Sequence, residues 1–277
     1  MGGQWARGGY RCGMARVVEL RYYPVKGCAG VSVSEGLVTP AGLAHDRAFM
    51  VTDQDGGFRT QRRDPRLAVV RPTVSTDGTE LTLHAPGAGA VRVPVDLTGP
   101  RRPVVLFKTV YGGIDQGDEV AAWLTDVFGA PRRLVRVPPE HDRVTDGAIP
   151  GTSGYADSCA IHVLSVASLR ELNARLAEPL PVSRFRPNLV VDGWTAHQED
   201  DERLLTIGDV ELGFAKAAVR CAVTLVDQEA GAKAGPEPLR TLSRYRRTPQ
   251  GGVTFGAKFA VLRAGKLAVG DEVVSAR

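Results

Sequence analysis

The segment Arg203-Leu-Leu-Thr-Ile-Gly-Asp-Val-Glu-Leu-Gly-Phe214 contains two short apolar runs that meet at Gly208-Asp209. Two such runs on either side of a Gly-Asp pair are typical of a β-hairpin, because glycine adopts the positive φ that a tight turn requires. Similar turn signals recur at Asp55-Gly56, Asp77-Gly78 and Gly270-Asp271. Short strands separated by such turns predict a mainly β fold, either a sandwich or a barrel.

Three helices are predicted between the strands. Asp118 is a candidate N-cap for a helix with apolar residues at helical spacing, and Gly129 follows its end. Ser165 is a candidate cap for a second helix, and a shorter one is expected after Pro238. We expect all three to be packing elements.

Composition excludes several classes of protein. The 277 residues are 43% hydrophobic and 24% charged, as in globular proteins. The net charge of +4 comes from basic residues spread along the chain, so no nucleic-acid partner is expected. No run approaches the roughly 18 apolar residues that span a membrane, so no membrane association is expected. The N-terminus lacks the apolar core of a signal peptide. Residues 1–13 are predicted to be a flexible extension, and a cytoplasmic location is expected.

The usual catalytic motifs are missing. The chain has no Gly-rich dinucleotide loop, no Walker loop and no nucleophile elbow, and its five histidines lack zinc-site spacing. Hydrolase and dinucleotide functions are therefore disfavoured. The spacing of the four cysteines indicates neither a disulfide framework nor a C-x-x-C pair; they are Cys12, Cys28, Cys159 and Cys221.

Two segments carry possible site chemistry. Ser183-Arg-Phe-Arg-Pro-Asn188 places two arginines and an asparagine before an apolar strand, and such donors suit phosphate or carboxylate oxygens. Surface salt bridges explain this segment equally well. In Val219-Arg-Cys-Ala-Val-Thr-Leu-Val-Asp-Gln228, Arg220 precedes Cys221 and favours its thiolate, a nucleophile and a soft metal ligand. A cysteine in an apolar strand is otherwise a core residue.

Four N-terminal segments place basic residues beside turns or strand ends, where they are also explained as exposed charges. They are Tyr22-Tyr-Pro-Val-Lys-Gly-Cys28, His45-Asp-Arg-Ala-Phe-Met50, Thr60-Gln-Arg62 and Asp64-Pro-Arg-Leu67.

From about residue 15 to 277 the sequence resembles MOSC proteins, named from the C-terminal domain of molybdenum-cofactor sulfurase. It is most similar to the branch with an N-terminal MOSC β-barrel domain, which includes the amidoxime-reducing components. The resemblance rests on the segments above, on Asp157-Ser158, and on the endings PLRTLSRYRR (238–247) and FGAKFAVL (255–262). It implies a MOSC β-barrel with an N-terminal β-rich unit. The expected domains are residues 14–115 and 116–277.

The resemblance also implies the cofactor and the site. In the family a pyranopterin holds molybdenum, and the thiolate in the position of Cys221 ligates the metal. The residues implied to hold this molybdenum cofactor (Mo-molybdopterin) are Lys26, Gly27, Arg47, Arg62, Ser158, Arg186, Asn188 and Arg220. Gly27 departs from the family pattern, which often has serine there, and its backbone N–H is expected to replace the hydroxyl.

A molybdenum-dependent reductase of small N-hydroxylated compounds, such as amidoximes and hydroxylamines, is the leading functional hypothesis. The chain has no 2Fe–2S cysteine spacing, so a separate electron-donor protein is expected: a ferredoxin, a flavin reductase or a haem protein. Two alternatives use the same cysteine. In the first, the protein is a sulfur carrier that serves cofactor sulfuration through a persulfide on Cys221. In the second, it is a cofactor-binding module without catalytic activity.

Overall fold

The computed structural model describes residues 14–276. The predicted flexible extension, residues 1–13 with Cys12, lies outside this range. The first half of the described chain forms β1 (Arg16–Tyr22), β2 (Val25–Lys26), β3 (Val31–Val33), β4 (Glu35–Thr39), β5 (Gly42–Leu43), β6 (Phe49–Thr52), β7 (Arg71–Val74), β8 (Glu80–Ala85), β9 (Gly89–Pro94), β10 (Arg101–Leu106), β11 (Thr109–Asp115), α1 (Asp118–Phe128) and β12 (Arg133–Arg136).

The second half forms β13 (Val144–Thr145), β14 (Gly151–Thr152), β15 (Ile161–Ser165), α2 (Val166–Asn173), β16 (Leu189–Asp192), β17 (Leu204–Ile207), β18 (Val210–Val219), β19 (Val226–Asp227), β20 (Ala232–Lys233), α3 (Leu239–Leu242), β21 (Thr254–Arg263), β22 (Gly265–Ala268) and β23 (Val274–Ala276). Short 3-10 helices cover Pro65–Val69, Val182–Arg184, Gln198–Asp200 and Ala222–Leu225. Over residues 14–276, none of the helices is both long enough and apolar enough to cross a membrane.

The largest sheet is nearly closed into a barrel. Its strand order is β23-β17-β18-β21-β15-β16-β1-β3, and only β15 and β16 run parallel. Beside β1, Val17 N donates to Asp271 O (2.9 Å) and Val273 N donates to Ala15 O (2.7 Å), which joins β1 to the segment that leads into β23. Alternate residues of these strands fill the interior, as the period of a strand requires; they include Val17, Leu20, Ile161, Val163, Leu189, Val191, Leu205, Leu212, Ala257 and Phe259. The predicted mainly β fold is confirmed.

A second β-rich unit packs beside this barrel. It combines the sheet β10-β11-β12-β6-β2 with the hairpins β7-β8-β9. Helix α1 covers it, and together they bury a separate core that includes Val25, Phe49, Leu67, Leu81, Leu83, Val120 and Leu124. The β-strands at the N-terminus are shared between the two units, because β1 and β3 lie in the barrel sheet whereas β2 and β6 lie in the other. The expected division between residues 115 and 116 stays a prediction.

Most of the predicted turns and helices are present. Strands β17 and β18 form the hairpin around Gly208, which has φ +55°, and β7 and β8 form the one around Gly78. The Gly270-Asp271 turn does not join a hairpin, because β22 pairs with β4 and β23 pairs with β17. A turn signal reports the local backbone only, and the partners of these two strands are distant in sequence.

The helix caps differ in one case. Ser165 caps α2 as predicted, since its hydroxyl accepts a hydrogen bond from Ser168 N (3.0 Å). Asp118, in contrast, is the first residue inside α1, and Gly117 occupies the N-cap position without a side-chain bond. An aspartate in the first turn still stabilises the helix through its dipole. Gly129 ends α1 with φ +67°, as predicted.

Candidate functional site

A cleft of about 890 Å³ lies where the barrel meets the second β-rich unit. All nine residues that the sequence suggested for the site line it: Lys26, Gly27, Arg47, Arg62, Ser158, Arg186, Asn188, Arg220 and Cys221. They come from six separate segments of the chain. The structure therefore brings together basic residues that are up to 194 positions apart, counted from Lys26 to Arg220. Their roles toward a cofactor stay predictions.

Lys26 is fixed at the floor of the cleft. It ends β2, which pairs in parallel with β6, and its side chain is 5% exposed. Its Nζ donates to Tyr155 O (2.9 Å) and to the carboxylate of Asp157, which belongs to the loop before β15 and lines the cleft. Burial lowers the pKa of Lys26, and Asp157 opposes that shift. The same pairing, although burial opposes it, holds the pKa of Asp157 well below its usual range.

Arg47 and Arg186 both pack on the ring of Tyr23. Each guanidinium carbon lies 4.2 Å from the ring centroid, within cation–π range. Tyr23 is fully buried and donates its hydroxyl to Pro187 O (3.1 Å), so the platform is rigid. Both arginines have left-handed backbones, φ +49° for Arg47 and φ +55° for Arg186. Strain of this kind in non-glycine residues concentrates at functional sites.

The two arginines differ in their counter-charges. Arg47 is paired with Asp46 and also donates to Asn188 Oδ1 (3.3 Å). Within residues 14–276, Arg186 has only the neutral Gln228 Oε1 as a side-chain acceptor (3.2 Å). Burial lowers the pKa of Arg186 to about 10, and the nearby charge of Arg47 adds to the shift. A bound anion would therefore stabilise the charged form of Arg186 more than that of Arg47, whose charge Asp46 already balances.

The side chain of Asn188 connects three parts of the site by hydrogen bonds. It is 2% exposed, and its Oδ1 accepts hydrogen bonds from His162 N (3.1 Å) and from Arg47. Its Nδ2 donates to Arg21 O (3.1 Å) in β1. The side chain thus ties β15, β1 and Arg47 together, and it positions one of the cations of the cleft.

Cys221 and Arg220 occupy the wall at the end of β18. Cys221 is partly exposed, and Thr224 donates to its carbonyl oxygen through both N (3.1 Å) and Oγ1 (2.9 Å), which fixes the turn that starts there. Arg220 donates through Nη2 to Phe185 O (2.8 Å), and its buried Nε has no partner among residues 14–276. Burial lowers the pKa of Arg220. A partly exposed thiol beside an under-satisfied guanidinium is suited to an anionic, sulfur-binding ligand.

The remaining predicted residues line the edges. Arg62 is exposed, and Ser158 is half-buried with its carbonyl bound to Ser153 Oγ (2.9 Å). Gly27 has φ +82°, and its carbonyl accepts from Gln61 Nε2 (2.6 Å). Of the other described cysteines, Cys159 lines the cleft and is 2% exposed, whereas Cys28 is buried in the core of the second unit. Burial raises the pKa of the Cys28 thiol to about 12, so it is not a ready nucleophile.

Sequence reasoning missed three site features. Lys258 on β21 lines the cleft, and Gln61 and Gln228 exchange reciprocal amide hydrogen bonds (3.0 and 2.9 Å) that join the two halves of the chain beside it. Tyr23, the platform for both arginines, lies inside a quoted motif but was not singled out. The lysine had a signal: it interrupts the apolar run FGAKFAVL (255–262), where a charge needs a polar surface on one face of the strand.

The charges of the cleft fit an anionic cofactor. Among residues 14–276, four of the lining cations form no ion pair with a carboxylate: Arg62, Arg186, Arg220 and Lys258. Three of them are at least half-buried, and buried charges are normally compensated. In the same range no group of three or more His, Cys, Asp or Glu residues is arranged to hold a metal ion. Of the two cysteines that line the cleft, Cys159 is buried and Cys221 is the partly exposed one, so Cys221 is the sulfur that a metal can reach. This donor set suits a metal delivered by a phosphorylated, sulfur-containing carrier.

Comparison with known proteins agrees with this geometry. Residues 14–131 match the MOSC N-terminal beta barrel domain, and residues 150–274 match the MOSC domain. Mitochondrial amidoxime reducing component 2 of Rattus norvegicus is 37% identical, over 93% of this chain and 82% of its own length. Mitochondrial amidoxime-reducing component 1 of Homo sapiens is 35% identical over the same shares. The molybdenum cofactor sulfurase of Danio rerio is 32% identical over 88% of this chain, but over only 32% of its own length.

The two matched domains define a MOSC protein with an N-terminal MOSC β-barrel. Within that class, the chain belongs to the family of the amidoxime-reducing components.

Proposed function

We propose that this protein is a molybdenum-cofactor-dependent reductase of N-hydroxylated compounds, with the Cys221 thiolate as the protein ligand to the metal. The observation that carries the proposal is the position of Cys221 in a cleft with four cations that have no carboxylate partner in the described part of the chain. The names and the near full-length similarity of the amidoxime-reducing components support it.

The residues of the chain would hold the cofactor in three ways. Cys221 Sγ binds the metal as a soft ligand. Arg186, Arg220 and the exposed Arg62 donate charge-assisted hydrogen bonds to its anionic groups. Asn188 and Tyr23 keep Arg47 and Arg186 in place. When bound, the cofactor supplies the two-electron chemistry that converts the N–O oxygen of the substrate to water.

The substrate would enter beside Cys221. Val219 is 63% exposed next to this residue, and Val223 lines the same part of the cleft. These side chains offer apolar contact to the carbon skeleton of a small N-hydroxylated compound, while the polar N–O group faces the cations. The electrons would come from a separate electron-donor protein.

Sulfur transfer is the second candidate. It is favoured by the similarity to a molybdenum cofactor sulfurase and would use the same Cys221, as a persulfide. Because that similarity covers only a third of the relative, we place it behind the reductase.

The test is reduction of an amidoxime by the cofactor-loaded protein with reduced viologen dye as the electron source, together with the molybdenum content. We expect stoichiometric molybdenum and turnover in the wild type, and no turnover in Cys221→Ser. Cys28→Ser, at a buried thiol outside the cleft, is the matched control and should keep activity. Molybdenum-free protein that carries a persulfide on Cys221 would instead support sulfur transfer. Loss of activity in Cys28→Ser but not in Cys221→Ser would refute the assignment.

A further inference from the structure

Lys258 lies in the cleft because of the alternation of β21. Its neighbours Ala257 and Phe259 both point into the barrel core, so the side chain between them points to the opposite face, which lines the cleft. In the sheet register Lys258 lies opposite His162 of β15 on one side and opposite Lys216 of β18 on the other. A strand at the centre of a barrel sheet holds this side chain in a fixed place.

Lys258 is distinguished from the other lysines around it by its lack of a partner. Lys26 is paired with Asp157, and Lys216 with Asp146 (2.6 Å). Within residues 14–276, the ammonium group of Lys258 makes neither a hydrogen bond nor an ion pair. An ammonium carries three donors, so those of Lys258 are left to solvent or to a ligand of the cleft.

The groups that face Lys258 are mostly positive. Arg220 comes from the end of β18, the neutral His162 comes from β15, and Arg47 comes from the N-terminal unit. Lys216 lies opposite Lys258 on β18, but its charge is already offset by Asp146. The loop before β15 contributes the Asp157 carboxylate, already bound to Lys26, and the Cys159 thiol. Burial, together with the charges of Arg220 and Arg47, lowers the pKa of Lys258 to about 7. The unpaired donors of Lys258 and the positive charges around it both favour the binding of an anion next to its ammonium group.

We propose that Lys258 is a further anion-binding residue of the cleft, whose Nζ donates to a doubly charged group of the bound cofactor, either its phosphate or its metal end. This inference rests on the proposed function for the identity of the ligand, but its anion chemistry is testable without turnover. It also has a consequence for protons. A bound dianion raises the pKa of Lys258, so binding above neutral pH takes up a proton, and binding below neutral pH does not.

The first experiment uses the full chain produced without cofactor, with sulfate as the probe. Sulfate stays dianionic across the pH range, so any proton taken up belongs to the protein. Calorimetry in two buffers of different ionisation enthalpy gives both the affinity and the number of protons. We expect uptake approaching one proton at about pH 8 and almost none at about pH 6, from a free pKa near 7.

Three variants test the assignment. Lys258→Met keeps the shape of the side chain but removes the charge, and should weaken sulfate binding roughly tenfold to hundredfold and abolish proton uptake. Lys258→Arg should keep the affinity without proton uptake, because a guanidinium stays charged at both pH values. Lys216→Met is the matched control: it lies one strand away and outside the cleft lining, and should bind as the wild type does.

The second experiment measures pterin and molybdenum separately in protein produced with cofactor. Loss of both in Lys258→Met places the lysine at the phosphate, whereas loss of molybdenum alone places it at the metal end. The inference would be overturned if wild type and Lys258→Met bind sulfate equally and contain equal amounts of pterin and molybdenum. Circular dichroism checks that the variant is folded. An inactive wild type that still shows Lys258-dependent sulfate binding would instead overturn the proposed function and leave the anion site standing.

Discussion

Arg220 Nη1 lies 3.4 Å from His162 Nε2 at the back of the cleft. A guanidinium only donates, so His162 Nε2 is the acceptor and the ring is neutral. Its proton is then on Nδ1, which lies 3.4 Å from Arg186 O. His162 therefore positions Arg220 through one nitrogen and the backbone of Arg186 through the other.

This neutral histidine predicts a pH dependence of stability. Burial, with the charges of Lys258 and Arg220, holds the pKa of His162 well below its usual range. The unfolded chain binds a proton at this residue below its ordinary pKa of about 6.5, and the folded chain does not. Stability is therefore fully present above that pH and falls as the pH drops below it. His162→Gln should flatten part of the decline of Tm between about pH 7 and pH 5.

The Tm of His162→Gln should still decline in this pH range because of three other half-buried histidines. Burial also lowers the pKa values of His45, His141 and His197. A variant whose Tm falls with pH as steeply as that of the wild type would contradict the role of His162.

Arg186 should show opposite effects on cofactor retention and on stability. In the cofactor-free chain it is a buried charge without a carboxylate partner, so Arg186→Met should leave Tm unchanged or raise it. In the loaded protein the same change removes a charge-assisted bond to an anion and should weaken retention by about 1.5–3 kcal/mol. Thermal unfolding of the empty protein and molybdenum content after dialysis measure the two effects. A variant that unfolds at a much lower temperature when empty would show that Arg186 is structural.

Asn188→Ala should destabilise the empty protein. The change removes acceptors and donors for His162 N, Arg47 and Arg21 O, which remain buried or half-buried. We expect a loss of about 2–4 kcal/mol in the free energy of unfolding, measured with urea. Ser158→Ala, whose hydroxyl makes no hydrogen bond in residues 14–276, is the control and should change stability little. Equal stabilities for the two variants would show that the hydrogen bonds of Asn188 do not stabilise the fold.

Among the three cysteines of residues 14–276, thiol reactivity should single out Cys221. It is partly exposed, whereas Cys28 and Cys159 are 0% and 2% exposed. In the native, cofactor-free protein, iodoacetamide should modify Cys221 before the other two, as read by peptide mass spectrometry, and all should react alike in denaturant. The loaded protein should protect Cys221. Equal protection of Cys28 and Cys221 before loading would contradict the arrangement.

Much of the fold was accessible from the sequence because its signals are local. Gly208 and Gly78 mark hairpins, and Ser165 caps a helix, through interactions within a few residues. The partners of β22 and β23 were not accessible, since each depends on a strand far away in the chain. For the same reason the sequence of β1 did not indicate that this strand belongs to the barrel sheet formed mainly by the C-terminal half.

The site divides in the same way. The motif residues Lys26, Arg186 and Cys221 were found because each lies in a recognisable segment. Lys258 required knowledge of which face of β21 meets the cleft, and Gln61 required its partner Gln228, 167 positions away. Such pairings appear only when the chain is folded.

The closure of the barrel has a consequence for the timing of biosynthesis. Val273 N donates to Ala15 O, so the sheet cannot close before residue 273 has left the ribosome. The cleft itself needs both Lys26 and Lys258, which are 232 positions apart in the sequence. A nascent chain therefore presents no complete cleft until the segment around Lys258 has been synthesised, so a ligand can fill the cleft only after that point.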